Sequence, residues 1–80
     1  MCGSCWAFSA VGAMESALAQ KNGGSVPNLS EQELVDCSTP YGNNGCGGGL
    51  MNLGYDYVLD HHLNTEEKYP YSGRNQSCRT

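Results

Sequence analysis

Residues 6–21 read WAFSAVGAMESALAQK, and the spacing of their apolar side chains decides how the chain folds. Ala7, Val11, Met14 and Leu18 stand at offsets of 0, 4, 7 and 11, which is one face of a helix running from Trp6 to Lys21. The remaining surface of that helix is mostly Ala, Ser and Gly. So small a helix fits a crowded centre with close neighbours on several sides. Asn22-Gly23-Gly24 ends it, Asn or Gly supplying a left-handed cap.

Downstream, Val26 to Leu29 is a short link containing Pro27. Ser30-Glu31-Gln32-Glu33 then fits a capping box, with Ser30 accepting from the Glu33 N–H and the Glu33 side chain reaching back. Leu29 and Leu34 bracket this start as a hydrophobic staple, and a short helix is predicted from Glu31 to Cys37. Pro40 to Gly45 reads as a turn-rich loop. Cys46-Gly47-Gly48-Gly49 is nearly free of side chains. Leu50, Leu53, Tyr57 and Val58 then repeat at helical spacing to about His61. The tail from Asn64 carries turns at Pro70 and Ser72-Gly73. No strand of convincing length and no internal repeat is predicted, so the expected fold class is mostly α.

Length and composition bound what such a chain can do. Eighty residues make one small domain, and only 12 of them are Leu, Ile, Val or Phe, against 11 Gly. Covalent staples, a partner surface or both are expected to supplement so thin a core. The formal net charge is −4, and the four basic residues, Lys21, Lys68, Arg74 and Arg79, are scattered. That distribution excludes a nucleic-acid footprint. No apolar run approaches the roughly 20 residues that cross a bilayer, and the N-terminus does not read as a signal peptide. Five cysteines are an odd number, so at most two pairs form and one thiol is left over; composition does not choose the pairing. Staples on a small Gly-rich chain point to an oxidising compartment. Two sequons, at Asn28 and Asn75, would be usable for glycosylation there.

Cys5 lies at the start of the first helix. Unpaired N–H groups and the positive end of the helix dipole favour a thiolate in that position, as a nucleophile requires. The plainer reading is a structural half-cystine. At this point the residues resemble a known family. Cys2-Gly3-Ser4-Cys5-Trp6 is the local signature of papain and the cathepsins. CGSCWAFSAVGAMES, NLSEQELVDCS, GCGGGLM and EEKYPY all look like stretches of papain-like cysteine proteases, in that family's order and at about its spacing. The flavour is that of cathepsins L, S and K.

The resemblance implies the helical left lobe of the α+β papain-like fold, three helices with two disulfides. It matches Cys5 to the catalytic nucleophile, and pairs Cys2 with Cys46 and Cys37 with Cys78. Gly48 and Gly49 match the wall of the substrate cleft, where the absence of Cβ lets an extended peptide lie against the backbone. Leu50 and Met51 match residues beside the pocket for the side chain two places before the scissile bond. Without the resemblance, Gly48-Gly49 is an ordinary turn, and Leu50 and Met51 simply begin a helix. The implied activity is cysteine-type endopeptidase action on peptide or protein substrates, in a lysosomal or secreted parent, with no metal and no cofactor.

The family's base and orienting residue, His and Asn, lie roughly 130–150 residues beyond the nucleophile, and the chain has only 75 residues after Cys5. The family's side-chain oxyanion donor, a Gln, lies just upstream, where the chain has only Met1. The resemblance therefore covers a partial peptidase domain, residues 1–80, without the right lobe. Such a lobe is expected to be inactive alone, to expose apolar surface, and to need that missing lobe or a second chain. His61 and His62 match no catalytic position and read as surface residues, His62 at a left-handed cap. Glu15 reads as a structural, hydrogen-bonded carboxylate, and Glu66-Glu67 as a solvated turn. Three rival readings remain open: a thioredoxin-like Cys-x-x-Cys redox site, a zinc site using Cys2, Cys5, Cys37 or Cys46 with His61, and a non-catalytic interaction or decoy module.

Overall fold

The helical periods are realised as α1, Cys5–Lys21; α2, Glu31–Cys37; and α3, Met51–Asp60. The structure is a computed structural model and describes residues 2–21, 23, 24 and 26–79. Single 3-10 turns at Thr39–Tyr41 and Gly45–Gly47 occupy the stretch expected as plain loop. Among the described residues there is no strand, only an isolated antiparallel bridge between Leu29 and Thr65. The radius of gyration is 11.7 Å, close to the ~11.6 Å of a folded domain of this length.

Trp6, Ala7, Ala10 and Val11 of α1 pack with Leu34, Val35 and Cys37 of α2, Tyr57 of α3 and Tyr69 of the tail. Gly54 is the point where the three helices close up. A Cβ there would lie 3.7 Å from both Ala10 and Leu34 and 3.8 Å from Trp6, so only a small residue lets α3 approach this far. The rest of α1 departs from expectation. Phe8, Ser9, Gly12, Ala13, Ser16 and Ala17 are exposed, and Leu18 is 37% exposed. The small-residue face is bare because α2 and α3 cover α1 on one side only. Of the proposed helix end, Asn22 lies outside the described residues, while Gly23 and Gly24 both take positive φ.

The start of α2 is capped as expected by Ser30, whose Oγ accepts from the Glu33 N–H at 3.0 Å and donates to the Tyr69 carbonyl at 2.6 Å. The second half of the capping box is not made. Ser30 gives its own N–H to the Asn64 carbonyl. The Glu33 carboxylate, fully buried, turns inward and accepts from the Tyr57 hydroxyl at 2.6 Å and from Asn64 N–H and Nδ2. A carboxylate this deep needs donors on both oxygens, and Tyr57 and Asn64 supply them.

The tail is held by polar side chains rather than by apolar bulk. Gln32, also fully buried, donates to Asp36 Oδ1 and to the Arg74 carbonyl and accepts from the N–H groups of Ser72 and Gly73. Asp36 in turn accepts from the Tyr69 hydroxyl at 2.6 Å, and Arg79 lies over the Tyr69 ring at 4.5 Å. Burial first, then the bond to Asp36, raises the Tyr69 phenol above its ordinary value. Cys37–Cys78 closes the same region covalently.

Two smaller expectations change. His62 is not at a left-handed cap: α3 ends on an extended His61 at φ −137°, which gives its N–H to Tyr57 O, and no described non-glycine residue has positive φ. Glu66 is not simply solvated. Its Oε2 accepts from the Tyr71 N–H, and its Oε1 is buried without a hydrogen bond; Glu67 is exposed. Glu15 accepts from the Leu29 N–H at 2.7 Å, the structural role expected of it.

Candidate active site

Cys5 is the first residue of α1, exposed, and the free cysteine of the described chain. The Ser4 carbonyl accepts from Ala7 and Phe8 N–H, so the helix begins tightly behind the thiol. At a helix start the first N–H groups, here those of Cys5 and Trp6, have no carbonyl within the helix to bind. They leave open donors beside the sulfur, where an anionic oxygen can be received.

The segment before Cys5 is fastened to the glycine stretch. Cys2 and Cys46 form a disulfide with Cα atoms 4.4 Å apart, and Gly3 N–H donates to the Cys46 carbonyl at 2.9 Å. A Cβ on Gly3 would stand 2.9 Å from that carbonyl oxygen, so the close approach requires glycine. Trp6 completes the junction: its indole N–H donates to Gly45 O at 3.1 Å, and its ring lies against Gly49.

Gly48 and Gly49, expected to act alike, differ. Gly48 has φ 117° with open space where a Cβ would be, but its N–H and carbonyl bind Gly45 and Asn44 within the loop. Gly49 is pressed inward. A Cβ there would meet Asn43 Oδ1 at 2.5 Å and Trp6 Cε2 at 2.9 Å. Among the described residues nothing pairs with its N–H or carbonyl. Leu50 and Met51 follow, 60% and 44% exposed, at the start of α3. They are the apolar side chains that this part of the surface presents.

Several residues that shape the site carried no periodic signal in the sequence. Buried Asn43 donates to Ser38 Oγ and accepts from the Leu50 N–H at 2.8 Å, and so sets where Leu50 leaves the glycine stretch. Ser4, only 3% exposed, is bonded through Oγ to the Tyr71 hydroxyl at 2.8 Å. Tyr71 also packs edge-on against Phe8, with ring centroids 5.0 Å apart. Asn43, Ser4 and Tyr71 are joined to their partners only by the folded chain, so periodicity could not find them.

No imidazole accompanies the thiol. His61 and His62 are exposed at the end of α3, where His61 stacks on Tyr57 at 4.8 Å. Nearby Val58 and Leu63 line an apolar cavity of about 390 Å³ with Met14, Ala17, Leu18 and Leu29. Met14 and Leu18 lie roughly 14–20 Å along α1 from Cys5 at 1.5 Å per residue. Asn28 and Asn75 are both exposed; the Asn75 side-chain carbonyl accepts from the Cys46 N–H. Among the described residues no group of three or more His, Cys, Asp or Glu could hold a metal ion, and no helix is long and apolar enough to cross a membrane. Cys2 is paired with Cys46 rather than Cys5, which removes the Cys-x-x-Cys redox pair.

Comparison with known proteins agrees with this geometry. A family profile described as papain family cysteine protease matches residues 1–80. A cathepsin L-like protein of Caenorhabditis elegans is 61% identical over 79 residues, which are 98% of this chain and 23% of that protein. Cathepsin L of Sarcophaga peregrina is 56% identical over 96% of this chain and 23% of its own length. Among solved structures, procathepsin L 3 of the Tenebrio molitor larval midgut superposes with a TM-score of 0.94 at 46% identity, covering 99% of this chain and 26% of that one. The chain thus spans about a quarter of the length of these relatives. With the helices, the two disulfides and the free cysteine at the head of α1 in this arrangement, the chain belongs to the papain family of cysteine proteases.

Proposed function

We propose that this chain is the nucleophile-bearing left lobe of a papain-type endopeptidase, a partial peptidase domain in which Cys5 is the catalytic residue. The observation that carries the reading is that Cys5 alone escapes the two disulfides, exposed at the N-terminus of a 17-residue helix. In the reaction, Cys5 Sγ attacks the scissile carbonyl. The thioester forms as the amine leaves, and water then hydrolyses it. The Cys5 N–H supplies one oxyanion donor.

The substrate is a peptide or protein lying along Gly49, whose unpaired N–H and carbonyl take its backbone in extended form. Gly48 lets it approach, since no side chain stands there. Leu50 and Met51 favour an apolar side chain two places before the cut. No cofactor or metal enters this chemistry. The general base and acid, its orienting Asn and the second oxyanion donor come from a right lobe or a second chain. Without a positioned acid the leaving amine is not protonated, so the 80-residue chain alone hydrolyses no peptide at a useful rate. Two disulfides fit the lysosomal or secreted home of such a parent, where Asn28 and Asn75 would be open to glycosylation.

A peptidyl electrophile aimed at cysteine proteases, applied with a fluorogenic peptide assay, tests this. One label per chain on Cys5, with turnover only when the second lobe is supplied, is expected. Efficient turnover by the pure chain overturns the inactivity; no labelling of Cys5 overturns the catalytic assignment. The second reading, a non-catalytic module derived from a cathepsin, is favoured by one observation: neither histidine is hydrogen-bonded to the thiol, and His61 stacks on Tyr57 instead. Turnover after reconstitution decides against it.

A further inference from the structure

Ser4 stands at the cap of α1, where a serine hydroxyl ordinarily accepts from the N–H of the second or third helical residue, here Trp6 or Ala7. It does not do so. The hydroxyl is paired with Tyr71, 67 residues away, at 2.8 Å, while Ala7 N–H is served by the Ser4 carbonyl instead. Tyr71 is itself held at both ends. Its ring meets Phe8 edge-on, with centroids 5.0 Å apart and planes at 75°, and its backbone N–H donates to Glu66 Oε2 at 2.9 Å.

We infer that Tyr71 is a positioning residue for Cys5: by binding the Ser4 hydroxyl it keeps that hydroxyl off the amides at the head of α1, leaving them to face the thiolate and the oxyanion. An uncapped helix start costs some stability. The α1 packing against α2 and α3 covers it, and the bond from Ser4 to Tyr71 returns part of it. A freed Ser4 hydroxyl would rotate onto the Trp6 N–H, the open amide of the pair, and draw off part of the positive potential beside the sulfur. This inference rests on the reading of Cys5 as nucleophile.

The test is the second-order rate of Cys5 alkylation by iodoacetamide, followed from mildly acidic to alkaline pH in the oxidised 80-residue chain and its variants. Tyr71→Phe keeps the ring against Phe8 and loses only the hydroxyl. It is expected to slow alkylation three- to tenfold near neutral pH and to move the pH–rate profile toward alkaline. In the Tyr71→Phe background, Ser4→Ala removes the competing hydroxyl and is expected to restore the rate. A structural role alone would lower the melting temperature and leave the profile in place. That outcome, or failure of Ser4→Ala to restore the rate, overturns the inference. Should Tyr71→Phe not fold, Phe8→Leu removes the ring that seats Tyr71 and must slow alkylation in the same direction; an unchanged rate is again a refutation. Alkylation requires no second lobe, so absence of peptide turnover and absence of the Tyr71 effect are separate results.

Discussion

The Tyr57 hydroxyl donates to Glu33 Oε2 at 2.6 Å in the interior, and this one bond ties α3 to α2 across 24 residues of sequence. The other oxygen of the same carboxylate accepts from Asn64 N–H and Nδ2, so Glu33 also fixes the chain as it leaves α3. Glu33→Ala strands these donors and leaves a cavity. It is expected to cost about 3–5 kcal/mol, while Glu33→Gln, which keeps the shape, costs about 1–2 kcal/mol. Urea unfolding of the oxidised chain measures both. Equal losses in the two variants would mean that the charged acceptor, not volume, matters.

Stability should fall as pH rises through the weakly acidic range. Burial, aided by Glu66 and Glu15, holds the Glu31 carboxyl above its ordinary 4.5 against the opposing pull of a backbone N–H. Above 4.5 the unfolded chain has released a proton that the folded chain retains. Folding is therefore favoured fully below that value and progressively less as pH passes the folded one. Urea midpoints measured from about pH 4 to about pH 7 should decline, and the decline should flatten in Glu31→Gln. An undiminished slope in that variant assigns the effect to another group.

The two cleft glycines should fail in different ways. Gly49→Ala forces a Cβ against Asn43 and the Trp6 ring and is expected to cost about 1–3 kcal/mol while shifting Trp6 emission. Gly48→Ala meets no atom within 4 Å, but its φ of 117° strains any other residue. It should cost a similar ~1–3 kcal/mol with emission unchanged. The same emission change in both would show that the two positions are mechanically one.

Cys2→Ser with Cys46→Ser opens a loop of sequence separation 44. The chain-entropy treatment puts the loss at about 4 kcal/mol. Gly3 N–H can still reach the Cys46 carbonyl, so the glycine stretch should loosen rather than detach. Thermal melts monitored by circular dichroism give the loss. A change under about 1 kcal/mol would place most of the clamp in Gly3 and Trp6 instead.

The helices were legible because their periods and caps are local. Glu31–Cys37 is the span that the Ser30 capping box and the Leu29–Leu34 bracket predict, and α1 begins one residue before Trp6. Family motifs supplied the pairing of the cysteines, which composition left open. What could not be read was the choice among partners that only the fold brings close. Glu33 had a local option, the Ser30 N–H, and took Tyr57 and Asn64 because Asn64 O had already claimed that N–H. His62 escapes the left-handed turn because α3 ends through an extended His61. Gly49 was read as an opening for substrate, yet the first demand on it is made by Trp6 and Asn43 behind it. Tyr69 and Tyr71 carry no periodic signal at all, since each is recruited by a side chain more than 30 residues away.

The bridges Cys2–Cys46 and Cys37–Cys78 interleave along the chain rather than nest. A single cut anywhere between Cys2 and Cys78 therefore leaves the two pieces joined by at least one sulfur–sulfur bond. In surroundings rich in hydrolases, a nicked molecule of this kind would keep its mass and its thiol together until it met a reductant.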